Sequence, residues 1–341
     1  MKMFTKLAGA ATAAVMALGG TAATAQDTLR WHTMGQASGD TVFTIAITEI
    51  LREELDLDFQ ITTGRPITRQ ILDASKGDIE LWTGSSAVQQ MMKTGSNMYA
   101  EMPEAKELFG NVRLLLNYPL GAYQIVTWAD SGIETLDDIK GKKVFLGPPA
   151  GAAAVTASNM IEGGTGLVAD QDYEWVKLDW VSGMQAFQDR QVDVHISPTS
   201  VPSPDIMQLA TLGDIRLLGV PDDRLDSEGV AKATAAPGRS IVQIAPDLYG
   251  DGQVNDAPVN TVQTMVGIGT NKYLDEQIAY DITRVVFEST QRLTEEAQWM
   301  SVIQAKDALQ DMNAPLHAGA YRYYKEHGID VPEELIPPEA K

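Results

Sequence analysis

Cysteine is absent from the 341-residue chain. Its absence excludes disulfides, thiolate metal sites, cysteine nucleophiles and a lipid anchor on an N-terminal cysteine. Basic charge is scarce: 26 Lys and Arg stand against 46 Asp and Glu, a net charge of −20. Binding nucleic acid needs a basic face, so a nucleic-acid partner is excluded. For an anionic ligand the same surplus is a repulsive field, which only a local focus of Arg, Lys or helix N-termini overcomes. Phosphate loops and Gly-x-Ser-x-Gly elbows are lacking too. Gly163-Gly164-Thr165-Gly166 does not have dinucleotide spacing and follows a helical stretch, so it reads as a helix stop. The four histidines, His32, His195, His317 and His327, stand apart, none with a second ligand at the spacing of a metal-binding helix. The residues therefore predict no cofactor, no metal site and no catalytic group.

What is present is an ordinary soluble composition, 44% hydrophobic and 21% charged. The length predicts two domains at roughly 100–200 residues each. Lys2 and Lys6, an alanine-rich apolar run from Leu7 to Gly20 and the triplet Ala23-Thr24-Ala25 read as a cleavable export signal over residues 1–25, with Gln26 opening the mature chain. The run of 14 residues is too short for a span, and no later segment reaches the ~20 apolar residues that one needs. Loss of the two lysines moves the net charge from −20 to −22. The expected product is periplasmic, not a lipoprotein, and not inserted in the membrane after cleavage.

The mature chain alternates short apolar runs with helical patterns. Leu29–His32 reads as a strand. Phe43, Ala46, Ile47, Ile50, Leu51 and Leu55 share one helical face, Asp58–Thr62 is strand-like, Pro66 opens a helix, and Asp78–Trp82 is strand-like again. This βαβαβ rhythm predicts a mostly parallel sheet with helices on both faces. A second lobe repeats it: strand Lys143–Leu146, helix Gly151–Glu162, strand Tyr173–Lys177, short helix Met184–Asp189 and strand Val192–Ile196. Asn111–Tyr118 with Gly121–Thr127 crosses between the lobes, Val262–Thr270 reads as a strand, and the Pro-, Gly- and Asp-rich stretch 221–260 has no clear assignment. The division drawn from this is residues 26–122 with 236–341 in lobe 1 and 123–235 in lobe 2. Open α/β sheets bind ligands beyond the carboxyl ends of their strands, so two facing lobes predict a cleft.

Three loop-to-helix junctions are candidates for holding a ligand there. In Gly35–Asp40, Gln36, Ser38 and Gly39 precede a helix whose free amides carry partial positive charge. Ser38 or Asp40 also reads as a plain N-cap, and Asp40 disfavours an anion. In Thr62–Pro66, Thr63 and Arg65 flank a helix start, and Arg65 is the leading anion-binding candidate, against the reading of an ordinary surface arginine. In Gly147–Thr156, Pro149, Gly151, Ala152 and Ala153 form a stiff turn and an apolar wall, or a tightly packed βα turn. Trp82 either floors the cleft or covers a core edge. Thr83, Ser85, Ser197 and Thr199 offer hydroxyls, or simply form turns.

Asp130-Ser131-Gly132-Ile133, Leu136–Val144 and Leu146-Gly147-Pro148-Pro149 resemble a stretch of the TAXI solute receptors, the binding proteins of one class of TRAP transporter. The likeness continues at Gln191–Val194, Ile215–Leu218 and Pro315–Tyr324. It implies an α/β, two-lobed periplasmic binding protein fold, two doubly wound mixed sheets joined by hinge strands with a cleft between. It also implies hinge closure on a small organic acid, and delivery to a TRAP membrane permease subunit. Relatives take mainly glutamate-like amino acids and related carboxylates. Here Thr63-Gly64-Arg65-Pro66 stands where the family has Thr-Gly-Gly-Ser, and Gly147–Ala153 stands where it has Gly-Pro-Pro-Gly-Ser-Gly-Thr. Hydroxyl donors are lost and a cation is gained, which favours a keto acid, a dicarboxylate or a more apolar carboxylate over glutamate. A periplasmic sensor for a signalling receptor and an exported enzyme on the same fold are the competing readings. The second lacks an aligned base and nucleophile.

Overall fold

The computed structural model describes residues 28–35, 38–149 and 152–341. The export-signal segment 1–25 lies outside the described residues. The first half of the chain runs β1 (Leu29–His32), α1 (Gly39–Leu55), β2 (Phe59–Thr62), α2 (Ile67–Lys76), β3 (Leu81–Gly84), α3 (Ser86–Thr94), α4 (Glu104–Phe109) and β4 (Val112–Trp128). Next come β5 (Lys143–Phe145), α5 (Ala152–Thr165), β6 (Glu174–Trp175), α6 (Trp180–Gln188), β7 (Val194–Thr199), α7 (Pro204–Leu212) and β8 (Ile215–Leu218). The chain closes with α8 (Glu228–Thr234), β9 (Arg239–Ile244), β10 (Val259–Asn271), α9 (Glu276–Glu288), α10 (Thr290–Glu296) and α11 (Ala318–Glu326).

Two long strands organise everything. In the first lobe β1 lies between β2 and β3, all parallel, and β3 continues into the far half of β10 and the near half of β4. In the second, the far half of β4 pairs with β7 and β8, β5 runs parallel between β7 and β6, and the near half of β10 pairs with β9. The β4–β10 ladder stops at Pro119 opposite Met265, and the β4–β7 ladder starts at Ala122 opposite Thr199. The two runs Asn111–Tyr118 and Gly121–Thr127, separated in the sequence by Pro119 and Leu120, form one continuous strand. Proline has no N–H to give, and here it sits where one ladder hands over to the next. A side chain at Gly121 would collide with the carbonyl of Thr199, so only glycine lets β7 approach.

Each half-sheet is packed on both faces. In the first lobe Phe43, Ile47 and Leu51 of α1 share a core with α9 and α11, while Ile71, Val88 and Met92 of α2 and α3 build a core on the other face. In the second lobe α5 and α8 cover one face and α6 and α7 the other. The expected α/β two-lobed architecture is therefore observed, with the two half-sheets joined through β4 and β10. One boundary differs. Residues 236–262 pack with the second lobe, where Ile241, Val242, Ile244 and Val262 enter its two cores. The turn at Pro237–Gly238 returns the chain onto β10 within that lobe, and the crossing back falls at Thr264–Met265. Strand Asp78–Trp82 is displaced to Leu81–Gly84. Its first residues are held by side chains, since the Glu80 carboxylate accepts from the Arg30 backbone N–H (2.7 Å) and guanidinium (2.6 Å).

Candidate functional site

Between the lobes lies a cavity of about 620 Å³. The first lobe contributes Ser38, Gly39 and Val42 at the start of α1, with Ala297 and Trp299 from the turn after α10. The hinge strands contribute Leu120, Gly121, Tyr123 and Thr264. The second lobe contributes Ala153 at the start of α5, Arg239, and the stretch Pro198–Ser200 with Ser203–Asp205, which leads from β7 into α7. Three helix starts thus border one space.

The first-lobe wall is knitted around Asp40. This buried carboxylate accepts from the hydroxyls of Ser38 and Thr83, both at 2.6 Å, and from the Met34 N–H at 3.1 Å. Its negative charge occupies the positive end of α1. The second-lobe wall is held by a buried relay. Thr199 donates to Ser203 (3.2 Å), the Ser203 N–H donates to the Tyr249 hydroxyl (3.0 Å), that hydroxyl donates to Gln124, and the Gln124 amide donates to the Ser200 carbonyl (2.8 Å). Burial pushes the Tyr249 phenol up to about 12, against the opposing effect of its Ser203 and Gln124 hydrogen bonds. Tyr249 therefore stays neutral and acts as a brace.

Arg239 is the cation of the cavity. It opens β9 opposite Thr264, half-buried, and one guanidinium nitrogen donates to Thr156 at 2.7 Å and to the Ala233 carbonyl at 3.4 Å. Among the described residues it has no carboxylate partner. Asp205, exposed in the first turn of α7, likewise has no cationic partner among them.

Of the residues singled out from sequence, Ser38, Gly39, Ala153 and Thr199 line the cavity. Gln36 and Gly151 lie outside the described residues, as does the side chain of Ala152. Arg65 takes a different partner: its guanidinium grips Asp73 on α2 at 2.6 and 2.7 Å, stays 44% exposed and does not line the cavity. A carboxylate in the second turn of the helix that follows satisfies it locally. Trp82 is wholly buried, with Nε1 donating to the Thr270 carbonyl at 3.3 Å, so it is a core residue and no floor to the cleft. Thr83 spends its hydroxyl on Asp40. Thr63 and Pro149 are exposed, Ser85 and Ser197 half-buried, and none of the four lines the cavity. His195 is sealed between the rings of Phe145 and Phe187, at 5.1 and 5.8 Å, and burial lowers it to about 4.

Sequence reasoning missed Arg239, Asp205 and Trp299. Arg239 follows the turn Ala236-Pro237-Gly238 and begins the short run Arg239–Ile244, rich in β-branched residues, a signal hidden in the stretch without assignment. Trp299 sits between helices and carries no periodic signal.

Two α/β lobes, paired hinge strands and a cleft at helix starts define the two-lobed fold of periplasmic solute-binding proteins. The chain belongs to the NMT1-like family, whose pattern matches residues 38–328. Its fold is similar to the periplasmic aliphatic sulphonate binding protein SsuA from Escherichia coli, at 13% identity and a TM-score of 0.43, over 88% of this chain and 78% of that one. It is similar also to the alkanesulfonate-binding protein SsuA from Xanthomonas axonopodis pv. citri bound to MOPS, at 12% identity, TM-score 0.41, over 92% and 97% of the two chains. A third likeness, at 12% identity and TM-score 0.38, is to the periplasmic ectoine-binding protein of the TeaABC TRAP transporter of Halomonas elongata, over 88% and 90%. At such identities no ligand is carried from one protein to another. Among the described residues no helix is long and apolar enough to cross a membrane.

Proposed function

We propose that this protein is an extracytoplasmic receptor that captures a small organic acid between its lobes and delivers it to a membrane permease of the TRAP type. The observation that carries the reading is Arg239: a guanidinium without a carboxylate partner among the described residues, in a cavity walled by both lobes. The anion-binding role expected of Arg65 passes to it. A ligand touching both walls favours the closed arrangement by its differential affinity, and β4 and β10 are the strands that bend. The TAXI-like blocks support a transporter of that class, and the family membership supports a binding protein over an enzyme.

The test is a thermal-shift screen of mature protein that has been unfolded and refolded to strip bound solute. The panel holds carboxylates and sulfonates, with amines and sugars as controls. A micromolar ligand at ~1 mM stabilises by about 4 kcal/mol and raises Tm by several degrees. A shift confined to organic acids and lost in Arg239→Gln supports the reading. A shift confined to amines or sugars sinks it.

A further inference from the structure

We infer that the cleft accepts a solute with one anionic group and rejects a second, and that Asp205 enforces the choice. The inference rests on the receptor reading above and narrows its ligand class. Among the described residues lining the cavity, Arg239 and Asp205 are the only charged ones. Arg239 already gives one nitrogen to Thr156 and Ala233, and the rest of its fork matches one carboxylate. A second anionic group in the same space finds no second cation among the described lining residues. Toward α7 it meets Asp205, which no basic side chain among the described residues neutralises. Toward α1 it meets Ser38, whose hydroxyl is turned onto the buried Asp40, so the positive end of that helix is spent on the protein's own carboxylate. The other described side chains of the lining are neutral hydroxyls, such as Thr199 and Thr264, or apolar, such as Val42, Leu120 and Trp299, and the start of α5 offers backbone amides but no charged side chain. The net charge of −20 adds to the cost of a dianion. The ligand class that fits is a monoanionic acid with an apolar body.

Hexanoate and adipate have the same chain length and differ by one carboxylate. Calorimetric titration of the refolded mature protein with each reads the discrimination directly. Hexanoate is expected to bind at least about tenfold more tightly, as one unpaired like charge nearby implies. Asp205→Asn, an isosteric change at an exposed position, is expected to narrow that ratio at least ~3-fold, chiefly by tightening adipate. Because Asp205 is exposed, the ratio is also expected to narrow near ~1 M salt, where screening is nearly complete. A purely structural role for Asp205 would move both acids together and show no such salt effect. Adipate bound as tightly as hexanoate, or a ratio unchanged by Asp205→Asn, overturns the inference and leaves the receptor reading standing. If neither acid binds a protein shown to be folded by circular dichroism, the inference and the carboxylate reading fail together.

Discussion

Arg65 and Arg239 look alike in the sequence, each beside a glycine or proline at the edge of an element, and their neighbours decide what each does. Asp73 on α2 lies within reach of Arg65, which precedes that helix, and the arginine is exposed enough that the pair contributes only ~0.2–1 kcal/mol. Arg239 faces the cavity, and among the described residues its guanidinium is hydrogen-bonded to a hydroxyl and a carbonyl and to no carboxylate. Arg65→Ala is expected to leave ligand affinity unchanged, and Arg239→Gln to weaken it about 10–100-fold, the usual worth of a charge-assisted hydrogen bond. Comparing the two variants by titration with the acid the screen returns checks this. Trp82 belongs to the core of the first lobe. Trp82→Ala is expected to cost about 3–5 kcal/mol in a urea melt, whereas Trp82→Phe should retain full ligand binding, which a cleft-floor tryptophan would not.

At the scale of the element, β7 carries a residue the site does not use. Both ring nitrogens of His195 are buried without a hydrogen-bond partner among the described residues, and its value is lowered from 6.5 to about 4 by desolvation. The folded protein therefore holds it neutral while the unfolded chain protonates it as pH falls below about 6.5. Stability is full above that value, is lost as pH falls, and levels off below about 4, where both states are protonated. Between pH 7 and 5 the loss is expected to be about 2 kcal/mol. Urea melts of wild type and His195→Phe at both values read it. The variant keeps the aromatic packing and is expected to lose this part of the pH slope. Elements were legible in unequal measure. The helical face of Phe43, Ile47, Ile50 and Leu51 is where the 3.6-residue period puts it. Strand Tyr173–Lys177 shrinks to Glu174–Trp175, and helix Met184–Asp189 grows back to Trp180, because Asp179 accepts from the Ser182 N–H and caps an earlier start.

For the molecule as a whole, the net charge of −20 surrounds a cavity in which Arg239 is the one cation among the described lining residues. On the proposed reading, the long-range field is expected to slow an anion's approach and the short-range contact to hold it once inside. Association of the acid, followed by tryptophan fluorescence in a stopped-flow instrument, is expected to speed up as salt rises from ~0.01 to ~0.15 M, because the Debye length shrinks from ~30 to ~8 Å. Slowing with salt would mean that a local positive field dominates the approach. Closure is expected to reduce the radius of gyration in small-angle scattering when ligand is added. Rhythm, helix faces, the repeated lobes and the lack of cysteine chemistry could all be read from the chain alone, since each depends on composition or on neighbours a few residues apart. The position of the return crossing, the different surroundings of Arg65 and Arg239, the burial of Trp82 and the arrival of Asp205 and Trp299 at the cleft were decided by tertiary contacts. Those residues are brought together from distant stretches of the chain by two shared strands, and no local pattern records which partner a side chain meets after such a crossing.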